Sequence, residues 1–259
     1  MALNIFGSSR KEAAKQDGDK QPETLETLLE RRAKLDKKIK KAEQEAKRAD
    51  WGLPPADRIK KWGHRSYIGG PDLETWFGIG KHQYHYLVSK GLRPHHRFLD
   101  IACGSLRLGQ YLIPFLETGN YFGLEGEEML VRAGLEHEIM PELVEIKKPS
   151  FAFNYEFDFV FVEGFDFAIA QSLFTHLTIE DIEKCFRNLR PKAGPESTFF
   201  FTYFEGDSSD NPAESHAAKG WRYSVAELEK AAVAQGWAMT NIGVWGHARN
   251  QKIAFVKPA

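Results

Sequence analysis

Cysteine is nearly missing. Of 259 residues only Cys103 and Cys185 carry a thiol, which leaves no disulfide framework and suits a reducing compartment. Net charge is nearly missing too: 35 Lys and Arg stand against 36 Asp and Glu, a formal charge of -1, so no whole-molecule basic field is present to recruit nucleic acid. No apolar run approaches the roughly 20 residues of a membrane span, and Met1–Gly7 is too short for a secretory signal, so a soluble, cytoplasmic protein is expected. The phosphate loop G-x-x-x-x-G-K-[ST] is absent. His82 and His85, three apart on a predicted helix, lack a third ligand at reliable spacing, so no metal is expected.

What remains is ordinary globular composition, 42% hydrophobic and 13% aromatic, in a chain long enough to bury a sizeable core. Residues 1–21 are polar and turn-rich and read as a disordered tail. From Pro22 to about residue 50 a charged helix is predicted. Leu25, Leu28, Arg32, Leu35, Ile39, Ala42 and Ala46 alternate by three and four along it, a short heptad seam suited to a coiled coil and a homo-oligomer, or to packing as one stripe on the main domain. Trp51-Gly52-Leu53-Pro54-Pro55 stops the helix. Residues 51–96 form an entry segment rich in aromatics and histidine, with a Gly69-Gly70-Pro71 turn and a helix over Thr75–Lys90, and residues 97–259 form a sheet core.

The centre of that core is Phe98-Leu99-Asp100-Ile101-Ala102-Cys103-Gly104-Ser105. An apolar run breaks at small residues and a helical pattern resumes at Leu106: strand, tight turn, helix, with backbone N–H groups open to a polar ligand. A dinucleotide fingerprint needs a third glycine three residues after Gly104, where this chain has Arg107, which argues against NAD or FAD. The stretch resembles the first motif of the class I S-adenosylmethionine-dependent methyltransferases, with Ala102 in place of the usual first glycine. Within the class, short matches make it similar to bacterial small-molecule and glycan-type enzymes.

The resemblance implies an α/β fold: a doubly wound, mostly parallel seven-stranded sheet with an antiparallel last strand, preceded by the charged helix. It implies S-adenosyl-L-methionine as cofactor, held by Asp100, Ala102, Cys103 and Gly104. A second strand, Tyr121–Glu125, ends in an acid whose two oxygens match a vicinal diol, which places Glu125 on the ribose. Glu127 to about Leu143 reads as one helix and Ser150–Asp158 as the third strand, where the resemblance puts an adenine-binding group at Asp158, with Glu156 as the alternative. Phe165–Ser172 is an apolar strand with polar ends, so Gln171 and Ser172 join the cofactor set, and Leu173-Phe174-Thr175-His176-Leu177 leads to a helix capped by Thr178, with Asp181 closing a capping box.

His176 lies where the transferred methyl group would point and is the candidate base; a turn histidine bonded to backbone is the other reading. Tyr67, Trp76, Tyr203, His247 and Arg249 are the candidate acceptor contacts, the last two on a hairpin between strands Trp237–Val244 and Lys252–Val256. The expected reaction is O-methylation of a small-molecule or sugar-like acceptor. An RNA methyltransferase is disfavoured by the balanced charge and by the absence of an Asn/Asp-Pro-Pro-Tyr/Phe motif; a non-catalytic scaffold assembled through the helix is the other alternative.

Overall fold

The computed structural model describes residues 23–259; the predicted tail over 1–21, and Pro22 with it, lie outside the described residues. Contacts divide the chain into a unit ending at Asp50 and a second unit, Trp51–Ala259. The first holds helix α1, Leu25–Ala49. Its ion pairs, such as Arg31–Glu23 at 2.5 Å and the i,i+4 pair Lys41–Glu45 at 3.8 Å, join exposed side chains and contribute at most about 0.5 kcal/mol each. By itself the helix leaves Leu28, Leu35 and Ile39 exposed as a stripe.

The second unit opens with α2 (Pro55–Trp62), α3 (His64–Tyr67) and α4 (Leu73–Ser89). It then alternates β1 (Phe98–Ile101), α5 (Gly109–Phe115), β2 (Tyr121–Glu125), α6 (Glu128–His137), α7 (Pro141–Lys147), β3 (Ser150–Phe153), β4 (Phe165–Ala170), α8 (Ile179–Leu189) and β5 (Ala193–Glu205). The two-residue β6 (Arg222–Tyr223), α9 (Val225–Ala234), β7 (Trp237–Val244) and β8 (Lys252–Pro258) complete it. The sheet runs β3-β2-β1-β4-β5-β8-β7, with β6 added beside β5. Strand β8 is antiparallel to both its neighbours, and the other long-strand pairs are parallel.

Period-two alternation divides the core into two layers. Leu99, Ile101, Phe199 and Phe201 face one side with Phe186 of α8 and Leu228 of α9, while Phe98, Ile169 and Phe200 face the other with Leu87 of α4 and Leu112 of α5. The carboxyl ends of β1, β2, β4 and β5 therefore meet along one edge.

Four local expectations are corrected. The third strand stops at Phe153 because the Asn154 side-chain oxygen accepts the N–H groups of Glu156 (3.1 Å) and Asp158 (3.0 Å), which turns the chain out of the sheet. Helix α5 starts at Gly109 rather than Leu106, since Leu106 sits at φ 64 and cannot continue a right-handed helix. The helix predicted from Glu127 to Leu143 is two, divided at Pro141, which opens α7 as a first-turn proline. At α8 the Thr178 hydroxyl accepts the Asp181 N–H at 3.4 Å, but Asp181 does not reach back; Ser215 takes the Thr178 N–H at 2.8 Å and donates to the Asp181 carboxylate.

Candidate active site

The turn after β1 alternates left-handed residues: Ala102 at φ 59, Gly104 at φ 57 and Leu106 at φ 64. Only Gly104 adopts this freely, so Ala102 and Leu106 hold strain that the surrounding packing must enforce. Two helices enforce it. A Cβ on Gly80 of α4 would lie 2.4 Å from the Arg107 carbonyl, and one on Gly134 of α6 would lie 2.6 Å from the Ser105 carbonyl. Both helices press backbone to backbone against the turn. Cys103 is drawn inward, its sulfur 3.0 Å from where a Gly123 Cβ would be, so it offers the site backbone only.

Asp100 is 3% exposed, accepts the Tyr121 hydroxyl at 2.8 Å, and has a pKa pushed up to about 7 by burial, with Tyr121 opposing. Glu125, at the end of β2, accepts three backbone N–H groups: Gly104 at 2.8 Å, Gly126 at 2.9 Å and Glu127 at 3.1 Å. Burial raises its pKa while those bonds oppose the rise. Tyr155 closes this corner. Its ring lies 2.3 Å from a Cβ position on Gly126 and its hydroxyl donates to the Glu127 carboxylate. Tyr67 stands on the same side, its hydroxyl made less acidic by burial and by the charges of Glu127 and Glu125.

A second polar group gathers at the ends of β4 and the β7–β8 hairpin. Ser172, at φ 57, donates its N–H to the Thr202 hydroxyl of β5 at 2.7 Å and its own hydroxyl to Gln251 at 3.0 Å. The Gln171 amide donates to Gln251 at 2.8 Å and lies 3.4 Å from His247 Nε2. His247 stacks on Trp245, accepts the Arg249 N–H at 3.2 Å, and is held down to about 4 by burial and by the positive charges of Arg249 and Arg107. His176 donates from Nδ1 to the Lys219 carbonyl at 2.6 Å, which leaves Nε2 as the lone-pair nitrogen; burial lowers its pKa. Two polar atoms of this region, Gln171 Oε1 and Arg107 Nη1, are buried without a partner in the protein.

Three predicted residues are not brought to this edge. Asp158 is exposed, its carboxylate accepts the Val160 N–H at 2.9 Å, and it lines a shallow surface depression with Lys184, Asn188 and Lys192, because the Asn154 turn carries it away from the end of β3. Trp76 has no exposed surface and donates its indole N–H to Glu138 at 3.0 Å, which takes it out of an acceptor wall. Tyr203 is fully buried in β5 with its hydroxyl on Asn241 at 2.9 Å. Sequence reasoning missed Tyr155, Gln251 and Arg107 as candidate site residues. Tyr155 is the second residue after β3, a position that could have found it; Gln251 and Arg107 give no local signal.

No protein-family model matches the chain, and no curated protein matches it. Solved structures do. The magnesium protoporphyrin IX methyltransferase of Synechocystis PCC 6803, with bound S-adenosylmethionine, has TM-score 0.53 at 15% identity over 73% of this chain and 85% of its own. The complex of DhpI with S-adenosylhomocysteine has TM-score 0.55 at 13% identity over 79% and 97%. The glycopeptide N-methyltransferase MtfA has TM-score 0.54 at 12% identity over 70% and 90%.

The chain has the class I methyltransferase fold. The class I sheet order is what lines up the left-handed turn, Glu125, Gln171 and the hairpin along one edge. Among the described residues no helix is long and apolar enough to cross a membrane, and no group of three or more His, Cys, Asp and Glu is placed to hold a metal.

Proposed function

We propose that this chain is an S-adenosylmethionine-dependent methyltransferase acting by in-line transfer on a small-molecule or sugar-like acceptor, most simply on oxygen. The observation that carries the reading is Glu125: a half-buried carboxylate ending β2, bonded at 2.8 Å to the Gly104 N–H of the left-handed turn. That arrangement offers a ribose diol an acceptor and brings backbone N–H groups within reach of the rest of the cofactor. The orphaned Gln171 Oε1 and Arg107 Nη1 fit a polar ligand as well.

When bound, the cofactor supplies an electrophilic methyl group on a sulfonium. The residues of this chain orient the acceptor and take its proton. His176, neutral and bonded through Nδ1–H to the Lys219 carbonyl, keeps Nε2 free to accept that proton. Tyr155 and Tyr67 flank Glu125 and take the place that the sequence assigned to Asp158 beside the adenine. The exposed stripe of α1 supports self-association, and the two unpaired thiols suit the cytoplasm.

Calorimetric titration with S-adenosylmethionine, S-adenosylhomocysteine and NAD tests the reading. Saturable binding of the first two and none of NAD is expected. Absence of binding to both sulfur cofactors would overturn it.

A further inference from the structure

Arg107 and Arg249 approach the same two-residue turn from either side. Arg249 donates to the Gly69 carbonyl, and a Cβ on Gly69 would lie 2.6 Å from its Nη2; a Cβ on Gly70 would lie 3.5 Å from Arg107 Nη1. The absence of a side chain at Gly69 is what admits Arg249, whereas at Gly70 it makes room for the Trp76 indole, 2.8 Å from where a Cβ would be.

Neither cation is neutralised. Among the described residues no carboxylate stands at ion-pair distance from Arg107 or Arg249. Arg107 is 7% exposed and its Nη1 has no partner, while the indole of Trp76 lies beneath it, 5.8 Å from the guanidinium carbon. The one acid whose charge favours it, Asp100, is bonded to Tyr121 and titrates near 7. Burial, and after it the charge of Arg249, bring Arg107 down to about 9; burial alone lowers Arg249, and His247 beside them is kept neutral. A pair of like charges, one buried and one half-buried, is costly unless a ligand of opposite charge completes it.

We propose that Arg107 and Arg249 form a receptor for an anionic group, carboxylate or phosphate, carried by the acceptor. The proposal rests on the methyltransferase reading for the word acceptor, and on the guanidinium pair alone for the anion. Position argues for the acceptor over the cofactor's own carboxylate. Arg249 belongs to the β7–β8 hairpin and its charge acts on both His247 and His176, the proposed base, whereas the cofactor acid Glu125 lies at β2 on the other side of β1. Planar forks bordering one turn can bind a carboxylate or phosphate bidentately, which fixes the direction in which a neighbouring hydroxyl points. The narrowest acceptor class is then an acidic or phosphorylated small molecule with a free hydroxyl near its anionic group.

The test uses the full-length protein and inorganic phosphate as probe, followed by calorimetry and by tryptophan fluorescence, since Trp76 and Trp245 border the pair. Phosphate is titrated with and without saturating S-adenosylhomocysteine. Saturable phosphate binding that persists with the cofactor product present is expected. In Arg107→Gln and Arg249→Gln that binding should weaken by about tenfold or more, with S-adenosylhomocysteine affinity within about threefold of the parent. Arg249→Lys, which keeps the charge and loses the fork, should fall between. Phosphate competing with S-adenosylhomocysteine, or both Gln variants losing that affinity, would assign the pair to the cofactor and overturn the proposal. Failure of the parent to bind phosphate in either state would overturn it as well. Should the protein bind phosphate through these arginines but no S-adenosylhomocysteine, the anion receptor stands and the methyltransferase reading falls.

Discussion

The Gly104 amide and the Glu125 carboxylate, ends of two adjacent strands, are joined by a hydrogen bond of 2.8 Å. Through it the acid at the end of β2 holds the turn after β1 in place. A carboxylate offers about four lone-pair positions, and Gly104, Gly126 and Glu127 occupy three here.

A diol accepted by Glu125 therefore competes with one of those N–H groups. The Gly104 amide, the one that comes from another strand, is expected to be displaced, and its proton shift in the NMR spectrum should move on adding S-adenosylhomocysteine. Glu125→Ala should weaken that ligand by about 1–3 kcal/mol, the range for leaving polar groups unpaired. Unchanged affinity by calorimetry would remove Glu125 from the ribose.

Asp100 makes stability depend on pH. Burial raises its pKa from 3.8 to about 7, so between those values the unfolded chain releases a proton that the folded one keeps. The contribution is full below pH 3.8, declines as pH rises, and is lost once pH passes about 7. The shift corresponds to a loss on the order of 4 kcal/mol. Asp100→Asn should be the more stable protein at pH 8, with the difference shrinking toward pH 4 in denaturant titrations; a constant difference would mean Asp100 ionises normally.

His176→Gln should lower kcat about a hundredfold, as expected for a lost general base, while leaving S-adenosylhomocysteine affinity nearly unchanged. Burial lowers the pKa of this imidazole below 6.5, so the acid limb of the kcat profile should lie below that pH in the parent and vanish in the variant. A variant with full activity would leave His176 with its bond to Lys219 as its whole role.

Glu138 ties the segment before β1 to α6. Its carboxylate takes two bonds from Arg65, at 2.6 and 2.8 Å, and the Trp76 indole at 3.0 Å, with only 2% of its side chain exposed. Glu138→Ala leaves the cation unpaired and should cost about 3 kcal/mol, read from denaturant unfolding, with earlier proteolysis within residues 56–72. An unaltered cleavage pattern would show that this segment is held by other contacts.

The stripe on α1 should behave as an interface. If it pairs copies of the chain, Leu28→Glu combined with Leu35→Glu will lower the mass measured by light scattering to that of one chain, leaving the thermal transition of the Trp51–Ala259 unit in place. An unchanged mass would exclude α1 as the site of assembly.

Local sequence determined a good deal of this protein. The alternation of apolar strands and helices is what a doubly wound sheet requires, Trp237–Val244 is legible to the residue, and Asp100 and Glu125 fall in the carboxyl halves of β1 and β2, because period and capping are properties of a few neighbouring residues. Where a side chain or a left-handed residue redirects the backbone, as Asn154 does after β3 and Leu106 does before α5, apolar pattern alone misplaces the boundary, and Asp158 stands exposed away from the end of β3.

Only tertiary structure decided which distant groups meet. Gly80 and Gly134 press on the β1 turn from two helices, and Gln171 finds Gln251 across 80 residues of chain. Arg107 and Arg249 share a turn that belongs to neither. Such contacts depend on how packed layers bring separated segments within a few ångströms, and a linear pattern carries no record of that distance.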